Sequence, residues 1–230
     1  MAFFNPEGQP WRFLGRCVDF VGLSLCSVFT SLGIITLGTS IASLYEAVVK
    51  AFRYGDNTPF KTYFTSFKKN FKKGVILTLI IIPFVFLFVW GYMIMKENSS
   101  TRIGAFLFTF YYVLLLLPAG TVINLFPLLA RFEMKTGEYI KTAFTLTLAH
   151  LPSTFVIVLL SIELTLWTVS YYSPCFITPS LWALLSSFFL EKNYKKHISE
   201  SEAAALEGLT EEEYMEKKRK REEKGKKKDG

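Results

Sequence analysis

An all-α membrane bundle is the fold class that the sequence predicts, and three observations predict it. The chain has 230 residues, 51% of them hydrophobic and 23 of them phenylalanine, and its apolar residues gather in long blocks instead of alternating at helix or strand spacing as in one large soluble domain. Four runs carry no charge at all, 20–45, 75–95, 103–130 and 164–190, and a fifth apolar stretch, 142–162, is broken only by His150. Each reaches the ~20 residues that a helix rising ~1.5 Å per residue needs to cross ~30 Å of hydrocarbon. Runs such as "VILTLIIIPFVFLFVW" are apolar on both faces, whereas a lipid-facing strand would alternate, so helices are the expected spanning form.

Taken from the N-terminus, "MAFFNPEGQPWRFLGRC" lacks the short apolar core and small-residue cleavage site of a secretory signal. It is expected to remain in the mature protein, with targeting by the first helix. Within the first long run, Gly33 and Gly38 flank a β-branched patch that makes a poor helix centre. A turn near Gly38 then divides the run into a spanning helix at about 18 to 36 and a shorter one at about 40 to 53.

The next segment, "NTPFKTYFTSFKKNF", opens with a capping Asn57 or Thr58 and a proline at a first helical position. It then sets Phe60, Tyr63, Phe64, Phe67 and Phe71 at helical spacing, with Lys68, Lys69, Lys72 and Lys73 on the other side. Two readings fit: an interfacial helix lying on the inner leaflet and attracting anionic lipid at about 1 kcal/mol per basic residue, or a docking surface for a partner protein. Lys73 marks the expected membrane boundary, since the 21 residues that follow are uncharged.

Full spans are expected at 75–95, 103–130, 142–162 and 164–190, which with the first helix and the short one make six crossings. Lysines and arginines then partition as two in the N-terminal segment, seven in 50–73, three in 131–141 and twelve after Leu190, against Lys96 and Arg102 on the opposite face. The positive-inside rule places both termini in the cytoplasm. The same rule explains the net charge of +7, and nucleic acid is not expected as a partner. "KKGVILTLIIIP" and "KTAFTLTLAHLP" echo one another, as a parallel repeat of helical hairpins would. Residues 1–198 form the membrane domain, and 199–230 a charged cytoplasmic tail, helical or disordered, with a capping box at Thr210 and Glu213. Cys17, Cys26 and Cys175 read as packing thiols without a disulfide framework.

Motifs for chemistry are missing from the sequence. There is no phosphate-cradling glycine loop with a trailing Lys-Ser/Thr, no paired His-Glu metal helix, and no serine in a nucleophile context, so neither catalysis nor a cofactor or metal is expected. The polar residues of interest are instead Asp19, Glu46, Asn124 and His150, at similar depth toward the cytoplasmic helix ends, where one cluster would serve either helix-to-helix hydrogen bonding or a transport path. Glu163, in "LLSIELTLW", is expected to point into the bundle, protonated or hydrogen-bonded, with Trp90, Thr109 or Tyr112 as partner.

The N-terminal "NPEG", followed by "WRFL" and then by "TLGTSIASLYEAVVKAFRYGD" running into "YFTSFKKNFKK", resembles the YesL-like family of bacterial integral membrane proteins. The likeness is dense over residues 5–74 and continues beyond them in hydrophobic pattern, whereas the long charged tail departs from that family's short C-termini. It implies a non-enzymatic accessory protein, of the kind encoded beside carbohydrate ABC transporters and glycan-degrading enzymes in Gram-positive bacteria. Candidate partners are the bilayer with its anionic lipids, ABC transporter subunits, or further copies of this chain. A small secondary transporter or channel is the alternative.

Overall fold

Seven α-helices and one 3-10 turn, with no strand, account for the regular structure in a computed structural model that describes residues 9–97, 101–171, 176–194, 196, 212, 213, 215, 216 and 219. In order they are α1 (Gln9–Ser31), the turn Ile34–Thr36, α2 (Leu37–Arg53), α3 (Pro59–Glu97), α4 (Arg102–Arg131), α5 (Thr136–Ala149), α6 (Leu151–Tyr171) and α7 (Thr178–Tyr194). The "NPEG" segment, Cys175, His197 and the capping box at Thr210 lie outside the described residues. Of the tail, Glu212, Glu213, Met215, Glu216 and Arg219 are helical.

Four segments are long and apolar enough to cross a membrane: 34–53, α3, α4 and α6. They differ in where their apolar side chains go. The most apolar window of α3 is 17% buried within the protein and so is that of α6, against 56% for 34–53. Lipid-like surroundings suit the first two, where Phe84, Phe86, Leu87 and Trp90 on α3 and Leu159, Leu166 and Trp167 on α6 all face outward. The apolarity of α2 is taken up by the protein's own core, in which Ala42, Leu44, Tyr45, Ala47, Val48 and Val49 are buried.

Register sets the short second helix against α3. A Cβ on Gly38 would meet Thr78 and Phe126, a Cβ on Gly74 would meet Thr39, and Ser66 donates to Glu46 at 2.6 Å, so α2 runs antiparallel to the lysine-bearing half of α3. Lys61, Lys68 and Lys72 are exposed on that half, on the side away from α2. The break expected near Gly38 falls earlier, at Leu32 and Gly33 ahead of the 3-10 turn, and Gly38 serves helix packing within α2. At its other end α2 stops on Gly55, whose φ of 82° is left-handed, as the amides of Tyr54 and Asp56 both reach the Lys50 carbonyl.

The lysine segment is no separate helix. α3 runs 39 residues from Pro59 without a break, roughly 58 Å at ~1.5 Å per residue. Pro59 is its first residue, as expected, with the Thr58 carbonyl accepting from the Thr62 amide at 3.1 Å, and Asp56 braces this start: it accepts from the Thr58 amide and hydroxyl at 2.9 Å and from the Thr62 hydroxyl at 2.6 Å. Burial raises the Asp56 carboxyl, but these hydrogen bonds outweigh it and leave the group below the usual carboxylate range.

The last two expected spans are also redrawn. The chain breaks at His150, whose φ of −127° and ψ of 45° leave the helix, because Pro152 lacks the amide that would bond the Leu148 carbonyl and its ring would crowd that carbonyl in a continuous helix. α6 then passes straight through Glu163, since a single charge does not end a helix. α3, by contrast, runs through Pro83, so the echo between the two lysine-to-proline segments does not extend to structure.

Candidate functional site

Three stripes run along the first half of α3. At ~100° per residue, Tyr63, Ser66, Asn70 and Gly74 fall on one face and are buried against α2. Phe60, Phe64 and Phe71 fall on the next and are 36%, 47% and 42% exposed. Lys61, Lys68 and Lys72 lie beyond them, exposed. Phe67 is half-buried, 6.3 Å from the Tyr63 ring and 5.7 Å from Phe71. The Phe60 ring lies over Gly22 of α1, where a Cβ would come within 2.6 Å of it.

Six of the nine docking residues expected from the sequence therefore face outward: Phe60, Phe64, Lys68, Lys69, Phe71 and Lys72. Tyr63 is a strut instead, fully buried with its hydroxyl on Thr30 and 3.0 Å from Ser40. Lys69 pairs with Glu133 at 2.6 Å, and that hydrogen bond holds the Glu133 carboxyl low. Both partners are largely exposed, so the pair adds little stability. The Lys73 ammonium lies 5.8 Å from the centre of the Tyr139 ring.

Hydroxyls also fix α1 to α2 and to α7. Ser27 and Ser40 are 3.1 Å apart, Thr30 and Ser40 2.9 Å, and Ser24 of α1 donates to Ser180 of α7 at 2.7 Å. Small residues let the helix axes approach, and the hydroxyls satisfy one another where water is excluded.

The expected polar cluster resolves into separate fasteners. Glu46 accepts from Lys50 and Ser66, both at 2.6 Å, tying α2 to α3. Asn124 donates to the Gly120 carbonyl at 2.8 Å and to Thr147 at 3.1 Å, tying α4 to α5. His150 ends α5, its amide on the Leu146 carbonyl at 3.0 Å. Asp19 is half-buried on α1. Glu163 does not point into the bundle. It is exposed on the outer side of α6, opposite Ser161, which accepts the Trp182 indole N–H at 2.8 Å. Cys17 is exposed as well, so it is no packing thiol.

A largely apolar cavity of about 370 Å³ lies between α1, α2, α4, α6 and α7, walled by Ile41, Leu44, Ile123 and Leu164 and bearing the hydroxyl residues Ser27, Ser161, Thr165 and Thr168. None of Asp19, Glu46, Asn124, His150 or Glu163 lines it.

One charged site went unread in the sequence. Arg131, the last residue of α4, and Glu191, near the end of α7, form a two-pronged ion pair at 2.7 and 2.8 Å, their side chains 2% and 0% exposed. Tyr54 donates to Glu191 at 2.8 Å and accepts from Arg131 at 3.1 Å, and Tyr45 reaches Glu191 at 3.3 Å. The Tyr194 hydroxyl is buried nearby without a hydrogen-bond partner. A signal did exist: each residue directly follows an apolar run, and both sit on the lysine-rich side of the charge partition. Grouped with the loop charges of 131–141, Arg131 reads as a solvated residue.

A family model described as "Protein of unknown function, DUF624" matches residues 20–92, from α1 through most of α3. No curated protein and no solved structure matches the chain.

Proposed function

We propose that this chain is a non-enzymatic accessory protein of the bacterial plasma membrane, both termini cytoplasmic, that binds a partner protein through the phenylalanine stripe of α3. The carrying observation is the continuity of that helix. With Lys73 at the membrane boundary, Phe60 and Phe64 stand about 20 Å and 13 Å further along the axis, at ~1.5 Å per residue, too far to insert among headgroups unless the whole helix lies flat. A flat helix would leave the apolar half of α3 out of the bilayer. Phenylalanines on a helix that the buried Tyr63 ties to α1 and α2 suit a protein groove, and the lysine stripe beside them supplies steering toward an acidic rim. The resemblance at residues 5–74 points to subunits of a carbohydrate uptake or sensing system as that partner.

A small transporter is the second reading, favoured by the hydroxyl-bearing cavity between the helices. No ionisable candidate faces that cavity, which leaves coupled transport without a charged group there.

Affinity purification from native membranes separates the two. Each buried phenylalanine contributes roughly 1.5–3 kcal/mol, so replacing Phe60, Phe64 and Phe71 by serine is expected to reduce partner recovery more than ten-fold. Replacing Lys61, Lys68 and Lys72 by glutamine removes only screened surface charge, and recovery should stay within about two-fold. Purification of the chain alone, with solute flux in liposomes, would instead support the transporter.

A further inference from the structure

α6 carries a second exposed seam, unrelated to the α3 stripe. Its inner side is committed: Thr154, Ile157 and Val158 are buried, and Ser161 holds Trp182. On the opposite side Val156, Leu159, Glu163, Leu166 and Ser170 are all exposed, spaced three, four, three and four residues apart. That spacing is the repeat by which two helices pack knobs into holes. Glu163 is the only charged residue of α6, about 18 Å from one end of the helix and 12 Å from the other at ~1.5 Å per residue. Among the described residues it makes no hydrogen bond or ion pair. A carboxyl group in hydrocarbon calls for a hydrogen-bonding partner, and this one finds none in its own chain.

We propose that α6 is a dimer seam, along which two copies of this chain pair in parallel with their Glu163 carboxyl groups hydrogen-bonded to each other. The occupant follows from symmetry. Copies in one membrane share one orientation, so a two-fold axis along α6 brings each residue opposite itself at equal depth. A protonated carboxyl group donates through its O–H and accepts at its carbonyl oxygen, so two facing carboxylic acids satisfy each other with no net charge and no basic residue. The rest of the seam is aliphatic or small, offering a partner helix nothing charged besides Glu163.

Disulfide crosslinking in native membranes tests this, with Cys17, Cys26 and Cys175 replaced by serine and one cysteine restored at a time. Leu159→Cys and Leu166→Cys should give disulfide-linked dimers on oxidation. Ile162→Cys, exposed but off the seam, should stay monomeric. In the Leu159→Cys background, Glu163→Gln should keep the dimer, because an amide both donates and accepts, whereas Glu163→Leu should reduce its yield about ten-fold, the effect of losing roughly 1–2 kcal/mol of interhelical hydrogen bonding. Absence of dimers at 159 and 166, equal crosslinking at 162, crosslinks only to a different protein, or a Glu163→Leu yield equal to that of the parent would each overturn the proposal. The cysteine pattern is read with Glu163 intact, so it decides the matter even if the leucine variant does not accumulate.

Discussion

Arg131→Ala or Glu191→Ala should lower the stability of the detergent-solubilised protein by roughly 3–5 kcal/mol, because each leaves the other charge buried and unpaired. The pair joins the end of α4 to the end of α7, and through Tyr45 and Tyr54 it also holds α2. Loss of either partner therefore loosens three helices together. Arg131→Met combined with Glu191→Leu should be less harmful than either alanine change, since no charge is then left bare, although the buried Tyr45 hydroxyl loses its acceptor. Thermal unfolding followed by size-exclusion in detergent reads all three. A double variant as unstable as the sum of the singles would mean that the two residues act independently.

Gly74→Ala should destabilise by roughly 1–3 kcal/mol, since the new Cβ would lie 2.3 Å from the Thr39 hydroxyl and 3.0 Å from its Cα, and backbone cannot step aside. Gly15→Ala should do the opposite. Nothing lies within 4 Å of that position, so a better helix former is gained without a clash, for a stabilisation of about 0.5–1 kcal/mol. The opposite signs at two helical glycines, read in the same melting assay, report how tightly α2 and α3 are pressed together.

The sequence announced its helices more clearly than their partners. Uncharged runs at 75–95 and 103–130 fall within α3 and α4 because long apolar blocks leave little structural choice. Breaks were harder to place. Gly33 and Gly38 look alike in sequence, yet one lies in the turn and the other packs against Phe126, a contact made 88 residues away that no local pattern displays. Glu163 was read as an end of an apolar run, whereas the physical stop is Pro152, which cannot bond the carbonyl four residues back and so does not continue α5. The α3 stripe was half legible: its period placed Phe60, Phe64 and Phe71 together, but an aromatic face does not show which member turns inward, and Tyr63 did so because Thr30 and Ser40 offer its hydroxyl partners. The Arg131 and Glu191 pair needed antiparallel pairing of distant helix ends, which emerges only from the assembled bundle.

Site-directed photocrosslinking in native membranes tests most directly whether α3 binds a protein through its phenylalanine stripe. A benzophenone side chain at Phe64 should yield a discrete protein adduct, and one at Thr65, exposed on the basic side of the same turn, should not. Adducts to lipid alone at Phe64, or equal protein adducts at both positions, would contradict it.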